Sequence, residues 1–292
     1  MIIKLYIKRI SLLILILFLA CVKGFSQGTE IIVGGQHKYY VGINFSPAHT
    51  YIKNNGSEAI SELESTKKNS VFGSFEAGYL FSEYIGISMG ISYNSYTTNL
   101  SLGTYSDQLD TTDADFEDYE RRIYGSGIKE TQKIGFISIP VLASFQLPVK
   151  NKFGLFLQTG LNFSIPVNKK YSSSGTFTYT GYYPAYKVLI ADVPFEYFQS
   201  DVENIDDGNL KLKLINPEFI VSAGCHYFIQ DKIQIALGFF INKMLSDVSG
   251  YNNTSSFILS SLPDHINSMM GGSRKASTQA LGLKISVRYY LK

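Results

Sequence analysis

Residues 85–96 read IGISMGISYNSY, with Ile85, Ile87, Met89, Ile91 and Tyr93 on one parity and Gly86, Ser88, Gly90, Ser92 and Asn94 on the other. Successive side chains of a strand point to opposite faces, so this segment has an apolar side and a side of small or polar groups. The same alternation returns in 39–46, 71–82, 135–147, 153–167, 217–229, 232–244 and 279–291, eight segments in all. Most exceed the ~5–6 residues usual for a soluble strand and reach the ~9–11 that a tilted strand needs to cross a bilayer. A soluble barrel would turn the apolar side to a core; a membrane barrel would turn it to lipid.

The connections decide between these. Glu83-Tyr84, residues 148–152 and Gln230-Asp231 are tight, whereas 47–70, 98–134, 168–216 and 245–278 are long and polar. Strict alternation of short and long is the habit of outer-membrane barrels, with tight turns in the periplasm and long loops outside. The expected fold is all-β: an eight-stranded antiparallel up-and-down transmembrane β-barrel with long extracellular loops and both termini periplasmic. Beyond the N-terminus no run approaches the 18 apolar residues of a helical span.

Lys4, Lys8 and Arg9 precede the apolar run 10–22, and Gly24-Phe25-Ser26 places small residues at both ends of a triplet. This is the pattern of a secretory signal peptide over 1–26, leaving 27–292 as the barrel domain. Acylation at Cys21 is a rival reading. Loss of the four leader bases (Lys23 is the fourth) takes the formal charge from +2 to −2, so no basic footprint points to nucleic acid. With Cys21 removed, Cys225 has no partner for a disulfide and reads as a small apolar side chain. The 21 Tyr and 20 Phe suit strands and interfacial girdles, for which Tyr40, Tyr79, Tyr93, Tyr289 and Tyr290 are placed near strand ends.

Ile137, Ile139, Val141, Ala143 and Phe145, then Leu281 to Leu291 at every second residue, join the odd residues of 85–93 on the lipid side. Glu76, Glu218, His226, Lys284 and Arg288 take the opposite parity. An eight-stranded barrel has an interior just wide enough to be filled by side chains. Because an unpaired buried charge is very costly, Glu76, Glu218, Lys284 and Arg288 are expected to form a structural cluster of ion pairs inside. Pro140 lacks a ladder donor and is expected at a bulge.

Other candidates lie in the connections. Segment 98–134 holds eight acids against four bases and reads as a solvated acidic loop, or as a calcium-binding one, although it lacks the spacing of a dedicated calcium loop. Segment 168–216 holds Tyr179, Tyr182, Tyr183 and Tyr186, which form either a binding surface on an exposed loop or a continuation of the adjacent strand. Met269-Met270-Gly271-Gly272 reads as a flexible tip. No histidine sits in a nucleophile, metal-ligand or phosphate motif; His226 with an interior serine is the least unfavourable dyad. No catalytic residue, cofactor or metal is assigned.

The stretch Ile137-Ser138-Ile139-Pro140-Val141, the small-residue strand 156–164 and the closing LGLKISVRYYL of 281–291 resemble the PorT-like outer-membrane β-barrel family. The resemblance spans the whole mature chain and implies an outer-membrane barrel, one branch of the family serving a protein secretion system. The expected function is a non-enzymatic binding or scaffolding component of the cell envelope, in contact with outer-membrane lipid. An accessory barrel of a secretion system and a membrane-embedded lipid- or peptide-modifying enzyme are the alternatives.

Overall fold

The computed structural model describes residues 38–291 except 57–59, 61, 151, 194–196, 231 and 252–256. Residues 1–26, expected to be a signal peptide, and Cys21 among them lie outside the described residues. The described residues form ten strands: β1 (Tyr39–Gly56), β2 (Glu64–Leu80), β3 (Ile85–Thr112), β4 (Asp118–Lys150), β5 (Phe153–Tyr183), β6 (Val188–Ile190), β7 (Val202–Asn209), β8 (Asn216–Gln230), β9 (Ile233–Met244) and β10 (Ser273–Leu291). Pairing runs β4-β3-β2-β1-β10-β9-β8-β5, and β4 also pairs with β5, so eight strands have a neighbour on both sides. Every pairing is antiparallel, including those of β6 and β7 with β5.

The eight alternating segments all lie in the strands of this ladder, and their faces fall as the parity requires. Ile85, Ile87, Met89, Ile91 and Tyr93 are exposed, as are Ile137 and Ile139 and the odd residues of 281–291; Ser88, Ser92, Ser138, Ser144, Lys284, Ser286 and Arg288 are buried. A continuous belt of exposed Ile, Leu, Phe and Val on one face, with a buried polar face behind it, inverts the arrangement of a soluble sheet.

Three expectations are corrected. Three of the four long polar connections are largely sheet: β1 and β2 extend into 47–70, β3 and β4 run on as a hairpin to a turn at 113–117, and β5 continues to Tyr183, whereas the described part of 245–278 joins a named strand only from Ser273. At 33 residues β4 is roughly 110 Å long, far more than a bilayer demands. The backbone keeps its hydrogen bonds by extending the ladder, so polar outward side chains do not require a loop.

Pro140 makes no bulge. Register is unchanged from Met89↔Val141 to Ser92↔Ser138, with the two intervening pairs missing. The absent N–H removes rungs without inserting a residue. Tyr40 and Tyr290 are not girdle residues, because both have inward parity and are buried, their rings 5.4 Å apart; Tyr39, Tyr79 and Phe81 form the outward aromatic cluster at that end.

Candidate functional site

The inward face is layered. At the end with the tight turns, Arg288 Nε donates to Glu76 Oε1 at 2.8 Å, both side chains being at most 3% exposed, and the guanidinium lies 4.9 Å from the centre of the Tyr40 ring. Gln234 accepts from Arg288 Nη1 and Tyr290 Oη, and Gln146 donates to Tyr290 Oη. One layer up, Lys284 Nζ donates to Gln158 Oε1 at 2.6 Å. Around it lies a cavity of about 60 Å³ whose lining includes Asn44, Ser92, Asn162, Ser222 and Asn242.

Glu218 stands apart from both bases. Its carboxylate accepts from Tyr96 Oη and Asn162 Nδ2, each at 3.0 Å. The four charges predicted as one cluster therefore divide: Glu76 and Arg288 pair, Lys284 bonds a neutral amide nearby, and Glu218 is held by neutral donors. The reason is height along the strands. Glu218 pairs with Met244 and Asn162, whereas Arg288 pairs with Gln234 and Gly42 near the opposite end of the ladder. His226 is buried, its Nδ1 has no hydrogen-bond partner, and no hydrogen bond joins it to a serine among the described residues.

Above these layers Phe72, Tyr96, Ile134, Phe136, Phe240, Met244 and Met270 pack together. Met270 belongs to a 3-10 turn, Met269–Gly272, whose four residues are all buried. The motif expected as a flexible tip is thus inserted between the walls formed by the extended strands. It is held there by Glu130, 1% exposed, whose Oε1 accepts from Gln132 Nε2 (2.6 Å) and Ser268 Oγ (2.8 Å) and whose Oε2 accepts from Ser173 Oγ and the Met269 amide (both 2.8 Å). Glu130 lies seven residues beyond Ile137, outside the apolar belt. Burial pushes its carboxyl above the ordinary range, against the pull of its hydrogen bonds. Further out, Asn204 Oδ1 accepts from the Asp264 amide, and Asp206 takes the Ile266 amide and pairs with His265 at 2.7 Å.

Glu130 belongs to the segment 98–134, for which composition predicts a solvated acidic loop. The signal that would have found it is the unbroken even parity of Ile128, Glu130, Gln132, Ile134, Phe136 and Ser138. The other carboxylates of that segment are strung along the hairpin, and among the described residues no group of three His, Cys, Asp or Glu is gathered to hold a metal ion.

The tyrosines of 168–216 separate by parity as well. Tyr179 and Tyr183 are buried, the first bonded to Ser260 and Asn204, the second to Asp113. Tyr182 is half-buried under the Arg122 guanidinium, 4.2 Å from the ring centre. Only Tyr186 of the four is exposed, and it donates to Glu117 at 2.6 Å. It forms part of a different surface: Phe116 (89% exposed), Tyr186, Val188 and Leu189 lie at the distal tips of the β3–β4 and β5–β6 turns, which Tyr183 and Tyr186 tie together.

A model of the outer membrane protein β-barrel domain matches residues 25–242. The chain belongs to that family. As a family member it is an all-β outer-membrane protein, in keeping with its exposed apolar belt. No curated protein matches the chain. Among solved structures it is similar to Neisserial surface protein A (11% identity, 87% of this chain and 97% of that one, TM-score 0.35), to OprG from Pseudomonas aeruginosa (10%, 89% and 100%, 0.34) and to the outer-membrane protease OmpT from Escherichia coli (9%, 87% and 97%, 0.35).

Proposed function

We propose that this family member is a closed eight-stranded transmembrane barrel acting as a non-enzymatic binding or scaffolding component of the cell envelope, through its distal extracellular end. The observation that carries this reading is the exposure of Phe116, Tyr186, Val188 and Leu189 far outside the apolar belt, on tips that hydrogen bonds hold in place. Apolar side chains gathered at the end of rigid arms are a contact surface rather than a membrane anchor. The layers of interior side chains around Arg288, Lys284 and Glu218 support the same reading, because they hold the wall together from within. The PorT-like resemblance, export by the 1–26 leader, periplasmic termini and contact with outer-membrane lipid belong to this proposal.

The test is purification of the tagged full chain from its native outer membrane in mild detergent, with mass spectrometry of the proteins that co-elute. A reproducible envelope partner that is lost in Phe116→Ser/Leu189→Ser, while the variant still folds, is the expected result. Partners indifferent to the tips but lost on changing the tight turns would instead make the chain an accessory of a secretion machine. Hydrolysis of lipid or peptide that disappears in a folded His226→Ala variant would overturn the non-enzymatic reading.

A further inference from the structure

On the outward face of β2, β1, β10 and β9 lies a groove of about 550 Å³, within the size range of small-molecule sites. Its floor lies where the β1–β10 ladder is interrupted. Pro47 cannot donate to the ladder, and the β1–β10 rungs at 46 and 47 are missing. At Gly282 any Cβ would collide with the Pro47 carbonyl oxygen, so the two backbones approach there as only glycine allows. Val71, Phe239 and Leu281, all exposed, stand on its sides.

The rim on the distal side is cationic. Lys243 lies four residues above Phe239, and Lys53 four above His49, which itself lines the groove. Both lysines take the outward parity, are exposed, and make no ion pair among the described residues. No carboxylate occurs on β1, β9 or β10. On β2, Glu76 is interior and Glu64, exposed at the distal end, makes no ion pair among the described residues, while Asp247 beyond β9 is occupied by Lys213 and by the Ser249 and Ala276 amides.

An apolar groove within the belt, topped by unpaired positive charge at the belt's edge, matches one molecule in shape and charge. We infer that this groove is a binding site for an outer-leaflet lipid with a phosphate-bearing, anionic headgroup, its acyl chain against Pro47, Phe239 and Leu281 and its headgroup at Lys53, Lys243 and His49. The inference rests on the membrane-spanning reading above. It adds a fixed position and a charge preference to a contact that the belt alone would make with any lipid.

The chain contains no tryptophan, so one can be introduced as a sole reporter. Phe239→Trp places it in the groove; Ile91→Trp, on β3 with β2, β1 and β10 between, is the control. Each protein is reconstituted in phosphatidylcholine vesicles, and quenching by brominated phosphatidylglycerol is compared with that by brominated phosphatidylcholine at equal mole fraction. A basic residue near an anionic surface is worth roughly fivefold in local enrichment. The expected result is stronger quenching by the anionic lipid at position 239, none of this preference at 91, and parity between the two lipids once Lys53→Gln/Lys243→Gln is added.

Equal quenching by both lipids at 239, or the same anionic preference at 91, would overturn the site and leave the membrane reading intact. Absence of quenching by either lipid at both positions would overturn the membrane reading itself. Should Phe239→Trp fail to fold, Leu281→Trp on the opposite wall reports on the same groove.

Discussion

Glu130 shows how one buried carboxylate can fix a segment far away in sequence. Both oxygens are saturated, each by two donors, and two of the four donors come from Ser268 and Met269. Glu130→Ala leaves them without an acceptor, at roughly 1–3 kcal/mol for each donor that stays buried. Amide exchange of 266–272 should therefore accelerate while exchange in the apolar belt does not change. The carboxyl is raised above 4.5 in the folded protein, so between 4.5 and that raised value the folded state holds more proton than the unfolded one. Its contribution is present in acid and is lost as pH rises through that window. Protection of 266–272, corrected for intrinsic exchange rates, should fall from pH 4 to pH 7 in the wild type and change less in Glu130→Gln. A second residue-scale test concerns the pair Glu76–Arg288. Arg288→Met strands a buried carboxylate and should cost about 3–5 kcal/mol. Combined with Glu76→Gln it should cost less, as read from urea midpoints of the reconstituted protein.

At the scale of elements, the strands were legible where one side of the alternation was apolar. In 85–93 and 281–291 the contrast between Ile or Leu and Gly, Ser or Lys marks both faces, and the structure exposes the one and buries the other. Beyond Tyr96 in β3 and before Gly135 in β4 the outward residues become Thr, Asn, Ser and Lys, and the contrast fades although the period of two persists. Hence the pattern predicts a loop where the hairpin runs and a solvated side chain at Glu130. The insertion of 269–272 was illegible for another reason: it depends on long-range bonds to Glu130, with no local pattern to announce it. The charge cluster was half legible, since parity gives the face and says nothing of height. The extended hairpin makes a sharp prediction for trypsin applied to intact cells. Lys187 sits in an exposed turn with a positive φ, whereas Arg121, Arg122 and Lys129 lie in paired strand. Cleavage should follow Lys187 and spare the other three; rapid cutting at Arg121 or Lys129 would restore the reading of 98–134 as a solvated acidic loop.

For the whole molecule, the inserted turn raises the question whether it is a plug in a channel or the top layer of a filled core. A plug closes a pore that exists beneath it. Here the layers beneath are themselves occupied: Phe72, Phe136 and Phe240 below Met270, then Glu218 bonded to Tyr96, then Lys284 bonded to Gln158, then Arg288 between Glu76 and Tyr40. A barrel of eight strands in general leaves little more room than side chains fill. The wild-type chain in a planar bilayer should therefore show no steady conductance, and deletion of 257–272 should leave it silent while lowering its stability. Conductance appearing on that deletion alone would mean that the lower layers part to form a path, making Glu130 the latch of a gate. Continued silence would assign the turn to the core, and would leave the distal tips and the outer wall as the surfaces through which this barrel meets its surroundings.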